Sequence, residues 1–484
     1  MIGRGISGRR ERAASRAGHG GLAIVGHWRL DRMLLLAVFN LLLFFYVSTL
    51  LVENQRLALG LLCVANFGIL LRERARPEML LLIGFALIYF IFHIPLALIE
   101  VLSPDFIPRS RYFSYWYPRA LTTDAIWIAA IFNSVMTSVF MAAPSVHYGN
   151  EMRALRREQD SLRGDVLLLP MLACILWFYA ALFALGISNY NDYNEVVRTS
   201  DAGFVARSFS FLMIVLPTII VLGAARIRWV GLYFTLLAIW CVPAFFLGLR
   251  GEVLFPLAMT MPVLLWRFGW KVRIIPSIVG AVVLLWMINL AMMVRGTGDL
   301  SSADESASAL EAVAEMAGSL RPVYETLRWV EYGIMEPQGG ATYWAPLERT
   351  LALVLPFIDR LPGHLDMRLM NVAIQEYAGN YGFSIAAEAF INFGHVGVVA
   401  MALVFGVVLI FAARHLGSGF ILSRPLAVIL SLAAANALFY HIRQSFVGAY
   451  GTFILTLILT AGFLWLDELV KPVRARRVGA QERS

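Results

Sequence analysis

From Met33 to Leu466 the sequence is a succession of apolar runs, many of them close to the roughly 20 residues that cross a bilayer as helix. No ordinary water-soluble fold could bury them all. Hydrophobic residues make up 59% of the chain and charged residues only 15%, against about 25% charge in soluble domains. The runs lack the alternation over about ten residues that marks an outer-membrane strand, so the chain reads as an all-α polytopic membrane protein. One stretch breaks the pattern: from Arg295 to Asn392 the sequence is long and polar. A structureless loop of that length is implausible in a compact protein, so it is expected to be either a small domain of its own or a functional cap.

Spans are expected near residues 33–52, 57–71, 79–101, 125–143, 166–187, 205–224, 229–249, 253–266, 274–294, 393–413, 425–439 and 448–466, twelve in all. The residues divide into a basic tail (1–32), spans one to nine (33–294), the polar loop (295–392), spans ten to twelve (393–466) and a second basic tail (467–484). The run after residue 32 is too long for a signal-peptide core and lacks a small-residue cleavage site, so an uncleaved anchor is expected. The net charge of +8 invites a nucleic-acid reading, but the basic residues collect in short loops on one side of the bundle. Arg72, Arg74 and Arg76, then Arg153, Arg156, Arg157 and Arg163, are typical. By the positive-inside rule that side and both termini are cytoplasmic, and no nucleic-acid partner is implied. The long loop then falls outside, with six basic and thirteen acidic side chains. Arg109, Arg111 and Arg119 lie in an outside loop, against the rule.

Two expected spans, 57–71 and 253–266, are short, and a short span beside Arg250 implies a locally thinned or water-filled region. Within the outer loop, the alanine- and glutamate-rich 302–331 is expected to be helical, with a break or new first turn at Pro322. After Gly339-Gly340, residues 343–358 carry Trp344, Leu347, Leu351, Val354 and Leu355 at the spacing of a helix lying on the membrane surface. Cys63, Cys174 and Cys241 fall inside apolar runs with no disulfide or zinc spacing, and read as inert buried thiols.

A charge near the membrane mid-plane is costly unless paired or wet, so the charges at the outer ends of spans, rather than those in the basic inside loops, are where chemistry is expected. Arg207, Arg250, Arg295 and Arg443 all lie at outer span ends in this topology. Each alone reads as a snorkelling side chain. Four together, on the side the positive-inside rule disfavours, suggest forks for a lipid-linked phosphate or diphosphate. Glu252 is either the salt-bridge partner of Arg250 or a catalytic carboxylate. Glu388, Asn392 and His395 stand at i, i+4 and i+7 and are expected on one helical face, with Gly394 and Gly397 allowing a neighbouring helix close. That stripe reads either as a sugar-binding and proton-accepting face or as ordinary capping and interhelical bonding. His364 and His441 are further candidate bases. No Asp-x-Asp pair, His/Glu metal spacing or phosphate loop appears in the outer segments, so metal-dependent transfer and ATP-driven transport lack support.

Gly248-Leu249-Arg250-Gly251-Glu252, and Phe383-Ser384 through Glu388, Phe390, Asn392, Phe393, Gly394 and Gly397, together with the long outer loop, resemble the Wzy-type O-antigen polymerases. The resemblance implies a cofactor-free, metal-independent inner-membrane glycosyltransferase of GT-C-like architecture. It would polymerise undecaprenyl-diphosphate-linked repeat units at the periplasmic face, alongside membrane lipids, a chain-length regulator and a flippase. Under it, Arg250, Arg295, Arg443 and, less centrally, Arg207 hold the diphosphate. Glu388 serves as base or acceptor-orienting group, with Glu252 or His441 as alternatives, and Asn392 and His395 contact glycan. A ligase needs the same clamp. A transporter would instead place ionisable groups at mid-span and show related halves.

Overall fold

The computed structural model describes residues 28–76, 78–102, 115–117, 119–144, 168–187, 192–193, 196, 212, 215–218, 227–247, 250–268, 280, 282–283, 286, 309–355, 357, 361–379, 382–418 and 425–481. Their helices are α1 (Leu30–Ser48), α2 (Val52–Leu71), α3 (Met79–His93), α4 (Pro95–Leu102), α5 (Leu121–Met141), α6 (Leu168–Ala184), α7 (Ile227–Phe246) and α8 (Arg250–Phe268). The chain continues through α9 (Ala309–Met316), α10 (Leu320–Glu331), α11 (Ala341–Val354), α12 (Met370–Tyr377), α13 (Ile385–Ser418), α14 (Pro425–His441) and α15 (Phe446–Gln481). No strand occurs among the described residues. Among the described residues, five helices contain runs long and apolar enough to cross a membrane: α1, α2, α5, α13 and α15. Shorter apolar helices lie in α3, α6, α7, α8 and α14. The expected spans at 205–224 and 274–294 fall largely outside the described residues.

The helices at the two short expected spans are longer than expected. The helix expected from residue 57 starts at Val52, and the one expected from 253 starts at Arg250 and takes in Pro256 and Pro262. Conversely, the expected third span is broken, because Pro95 has no amide hydrogen to continue α3 and opens α4 instead. Polar stitches join the spans: Asn66 Nδ2 donates to Ser134 Oγ (3.0 Å) and Asn40 Nδ2 to Ser138 Oγ (3.3 Å), tying α2 and α1 to α5.

The two ends of the bundle differ in charge. At one, the start of α1, the end of α2, the start of α3 and the end of α5 meet. Arg29 N donates to the Ala142 carbonyl (3.1 Å), and Arg76 Nη2 to the Ala143 carbonyl (2.7 Å). Glu73 sits among Arg32 (2.6 Å), Arg76 (3.0 Å) and Arg29 (3.8 Å). Burial works against the Glu73 charge, but the three guanidinium groups outweigh it and hold the carboxyl below its ordinary range. This is the end expected to face the cytoplasm.

At the other end sit α9 to α12. A 3-10 turn, Ala317–Ser319, separates α9 from α10, so the break comes before Pro322, which falls in the first turn of α10, where its missing amide hydrogen costs nothing. α10 packs against α5 and α13, burying Leu320, Val323 and Trp329. Gly339 and Gly340, with φ of 55° and 93°, make the left-handed turn that starts α11, a conformation other residues adopt at a cost.

The loop after α11 is pinned by charge. Arg368 forks onto Glu348 (2.9 and 3.1 Å) and onto buried Asp366 (2.9 and 3.0 Å). Burial opposes the Asp366 charge, yet Arg368 and Arg349 hold its carboxyl below the ordinary range. A depressed carboxyl stabilises the fold above its unfolded pKa, and that contribution is lost as pH falls through the folded one. Asp366→Asn is therefore expected to speed hydrogen exchange across 361–369 on the order of tenfold at pH 7. The two proteins should converge as the native carboxyl protonates, below the ordinary aspartate range. An equal exchange rate at pH 7 would remove Asp366 from the clamp.

Candidate active site

α13 begins as a buried helix of small residues. Ile385, Ala386, Ala387, Ala389 and Ile391 are all buried, so the first turns sit deep in the bundle and carry Glu388 inside with them. The helix does not run straight. Phe393 (φ −140°, ψ 16°) and Gly394 (φ 63°, ψ −153°) leave helical geometry, and only glycine adopts the latter pair readily. This corrects the expectation of a single polar face. The kink keeps Glu388 and Asn392 inside and turns His395 outward, where it is exposed, meets Phe390 edge-on (5.3 Å) and interacts with the charge of Asp124.

The glycines also act differently from expectation. A Cβ on Gly397 would lie 2.4 Å from the Ala389 carbonyl oxygen of the same helix, so this glycine permits the kink rather than the approach of a neighbour. Gly394 has nothing within 4 Å of such an atom.

Glu388 is 1% exposed. Its Oε2 accepts the backbone N–H of Phe446 (2.6 Å), the first residue of α15, and the Thr342 hydroxyl bonds the same carboxyl. His441 Nε2 stands 3.9 Å from that oxygen. The other ring nitrogen, Nδ1, is 2.8 Å from the Gln444 carbonyl oxygen. A carbonyl only accepts, so Nδ1 carries a hydrogen and Nε2 is the nitrogen turned toward the carboxyl. Phe405 and Phe446 enclose the ring edge-on, each 5.8 Å away. Two titratable groups thus face each other across a turn, 441–446, whose geometry the carboxylate itself helps to hold.

Asn392 is a staple. Its Oδ1 accepts Gly340 N–H (2.9 Å), and its Nδ2 donates to Thr342 Oγ1 and to the Glu388 carbonyl, both at 2.7 Å. The backbone carbonyls of Ile391 and Asn392 accept Gln338 N–H (2.8 Å) and Gly339 N–H (3.0 Å). Its amide is thus spent on joining α11 to α13, the capping alternative of the sequence reading. The relay Asn392–Thr342–Glu388 follows from this junction.

Arg443 lies in the 441–446 turn, half-buried, with its guanidinium over the Phe92 ring (5.3 Å). Among the described residues no carboxylate lies within ion-pair distance of it. Phe92 also meets Phe255 (5.8 Å), which in turn meets Tyr440 (5.8 Å). The start of α8, where Arg250 is the first residue, therefore reaches the same end of the bundle as Arg443. Arg207 and Arg295 lie outside the described residues, as do the side chains of Arg250 and Glu252. His364 is exposed on the outer loop.

Several neighbours escaped sequence reasoning. Thr342 and Tyr343 come from the first turn of α11, the latter with its ring 5.0 Å from Phe446. His93, at the end of α3, bonds the Tyr89 carbonyl through Nδ1 (3.1 Å) and Ser384 Oγ through Nε2 (2.8 Å), fastening the start of α13. A Cβ on Gly382 would come 2.4 Å from the Arg443 carbonyl oxygen. Ser384 lies in the motif quoted above and Gly382 immediately precedes it, and their nearness to Glu388 in the sequence is the available signal.

The family model for O-antigen polysaccharide polymerase Wzy matches residues 33–469. The chain belongs to the Wzy family. No curated protein and no solved structure matches it. As a Wzy-family polymerase it is a bacterial inner-membrane protein with a polymerising, glycosyltransferase-type activity on lipid-linked glycan repeat units. The match runs from α1 into α15 and takes in Arg250, Glu388, His441 and Arg443.

Proposed function

We propose that this Wzy-family protein extends undecaprenyl-diphosphate-linked glycan at the periplasmic face, without a metal, within a twelve-span, GT-C-like bundle divided at residues 32, 294, 392 and 466. A hydroxyl of the incoming repeat unit attacks the anomeric carbon of the growing chain. The carbon–oxygen bond to the diphosphate breaks, and the diphosphate leaves with the electron pair. A diphosphate is already a good leaving group, so fixed guanidinium groups that meet its developing charge supply most of what the step needs. Arg250 and Arg443, with Arg295 and Arg207, fill that role. Glu388 takes the hydroxyl proton, and His441, facing it, is the next acceptor. Glu252 is the alternative carboxylate. Partner proteins that deliver lipid-linked units and set chain length complete the pathway.

The observation that carries this reading is the family match together with one turn, 441–446, that bears Arg443 and also binds Glu388. A second reading has support of its own. With Glu388 buried and bonded to the Phe446 amide, the carboxylate is an anchor for that turn, and the proton acceptor lies elsewhere.

Purified protein given a lipid-linked repeat unit, with chelator and no nucleotide, is expected to make longer glycan. No extension until a divalent metal is added would end the metal-free mechanism. Arg250→Lys keeps the charge and loses the fork, so transfer is expected to fall roughly 10- to 100-fold. Undiminished polymer length in that variant would take Arg250 out of the diphosphate site.

A further inference from the structure

α11 is built inside out for a water-facing position. Its charged residues turn to protein: Glu348 pairs with Arg368, and Arg349 Nη1 donates to the Leu361 carbonyl (2.8 Å) and stands 3.8 Å from Asp366. Its apolar residues turn out. Trp344, Leu347 and Leu351, at i, i+3 and i+7, are exposed along one face of α11. Leu353 (71% exposed), Phe357 (77%), Leu361 and Leu365 continue the apolar surface beyond it.

The level of this surface follows from its neighbours. Tyr343 packs on Phe446, the first residue of a span, and a Cβ on Gly340 would meet the Phe393 ring at 3.1 Å, at the kink of another span. Phe393 and Val396 are themselves exposed on α13, inside the run long and apolar enough to cross the membrane. The exposed apolar side of α11 thus adjoins the exposed apolar surface of α13.

We infer that α11, with Phe357, Leu361 and Leu365 after it, lies in the membrane leaflet at that end of the bundle, with acyl chains as the occupant of the exposed face and Trp344 near the headgroups. Helices of this kind sit about 5–10 Å into the headgroup–acyl boundary, and tryptophan prefers that boundary. Contiguous exposed apolar surface of this kind marks an interaction site rather than ordinary solvent exposure. The arrangement brings Thr342 and Tyr343, neighbours of Glu388, to the depth at which a lipid-linked substrate carries its first sugar. The inference needs only a membrane-embedded chain and stands or falls independently of the transfer chemistry.

Wild-type protein in vesicles containing a phospholipid with a photoactivatable acyl chain tests it without any substitution. Adducts are expected on peptides covering 344–365 as well as on 393–404 of α13. Adducts on α13 alone would overturn the inference. Spin labels at Trp344→Cys, Leu353→Cys and Phe357→Cys, with label on the native thiols subtracted, give a second measure. Each label is expected to collide severalfold more with oxygen, which concentrates in lipid, than with a water-soluble nickel chelate. A chelate-dominated label would mean a water-facing helix, and a label shielded from both would mean a protein partner or second copy. Either outcome overturns the proposal, and neither experiment reads glycan transfer.

Discussion

Glu388→Gln is expected to reduce repeat-unit transfer by roughly 10²- to 10⁴-fold, the usual contribution of a positioned proton acceptor. Glutamine has the size of glutamate, and its amide oxygen can still accept the Phe446 N–H that Glu388 binds at 2.6 Å. The turn that carries His441 and Arg443 should therefore keep its shape, and thermal stability should change little. What the variant loses is the ability to take a proton. This separates the two readings of the buried carboxyl: a proton acceptor fails on this substitution, whereas an anchor survives it. In cells carrying the variant, a lipopolysaccharide ladder reduced to a single repeat is the expected pattern. A ladder of normal length, from protein inserted at normal levels, would leave Glu388 as an anchor and return the search for a base to Glu252 and His441.

The largest stability effect is expected in α10. Glu325 is fully buried and accepts hydrogen bonds from Arg328 Nε (2.9 Å) and Tyr115 Oη, while Arg321 Nε lies 3.5 Å away. Arg321 is itself buried, with its guanidinium over the Tyr115 ring (4.6 Å). Removing one member of a buried ion cluster strands the others, which costs about 3–5 kcal/mol. Glu325→Leu should cost about 3 kcal/mol, the low end of that range, because Arg321 keeps the Ala378 carbonyl (3.2 Å) and the aromatic face. Adding Arg321→Met to Glu325→Leu should recover much of the loss, since well-packed apolar side chains often replace buried ion pairs at little cost. Thermal unfolding of detergent-solubilised single and double variants checks both. A double variant less stable than the single would show that Arg321 contributes through partners other than Glu325.

The kinked helix shows how far a linear pattern reaches. Spacing placed Glu388 and Asn392 on one face, which is where they are, because four residues advance about one turn within a regular helix. The same reasoning failed for His395, since Gly394 permits a backbone conformation that resets the helical phase. Nothing in the spacing announces which glycine is used in that way. The pattern predicts that Gly397 lets another helix close, whereas its missing Cβ makes room for the Ala389 carbonyl of its own helix.

The sequence by itself determined that this chain is a helical membrane protein with a polar cap late in the chain. Hydropathy and charge are local properties, and a bilayer demands backbone bonds satisfied within each segment. It also determined that Glu388, His441 and Arg443 were worth attention, because polar groups near apolar runs stand out on composition alone. Only the tertiary structure decided that Thr342 reaches Glu388, that the α15 amide binds its carboxylate, and that Phe92 lies beneath Arg443. Those contacts join residues between 46 and 351 positions apart along the chain, and such pairs are chosen by how whole helices pack, which no local pattern encodes.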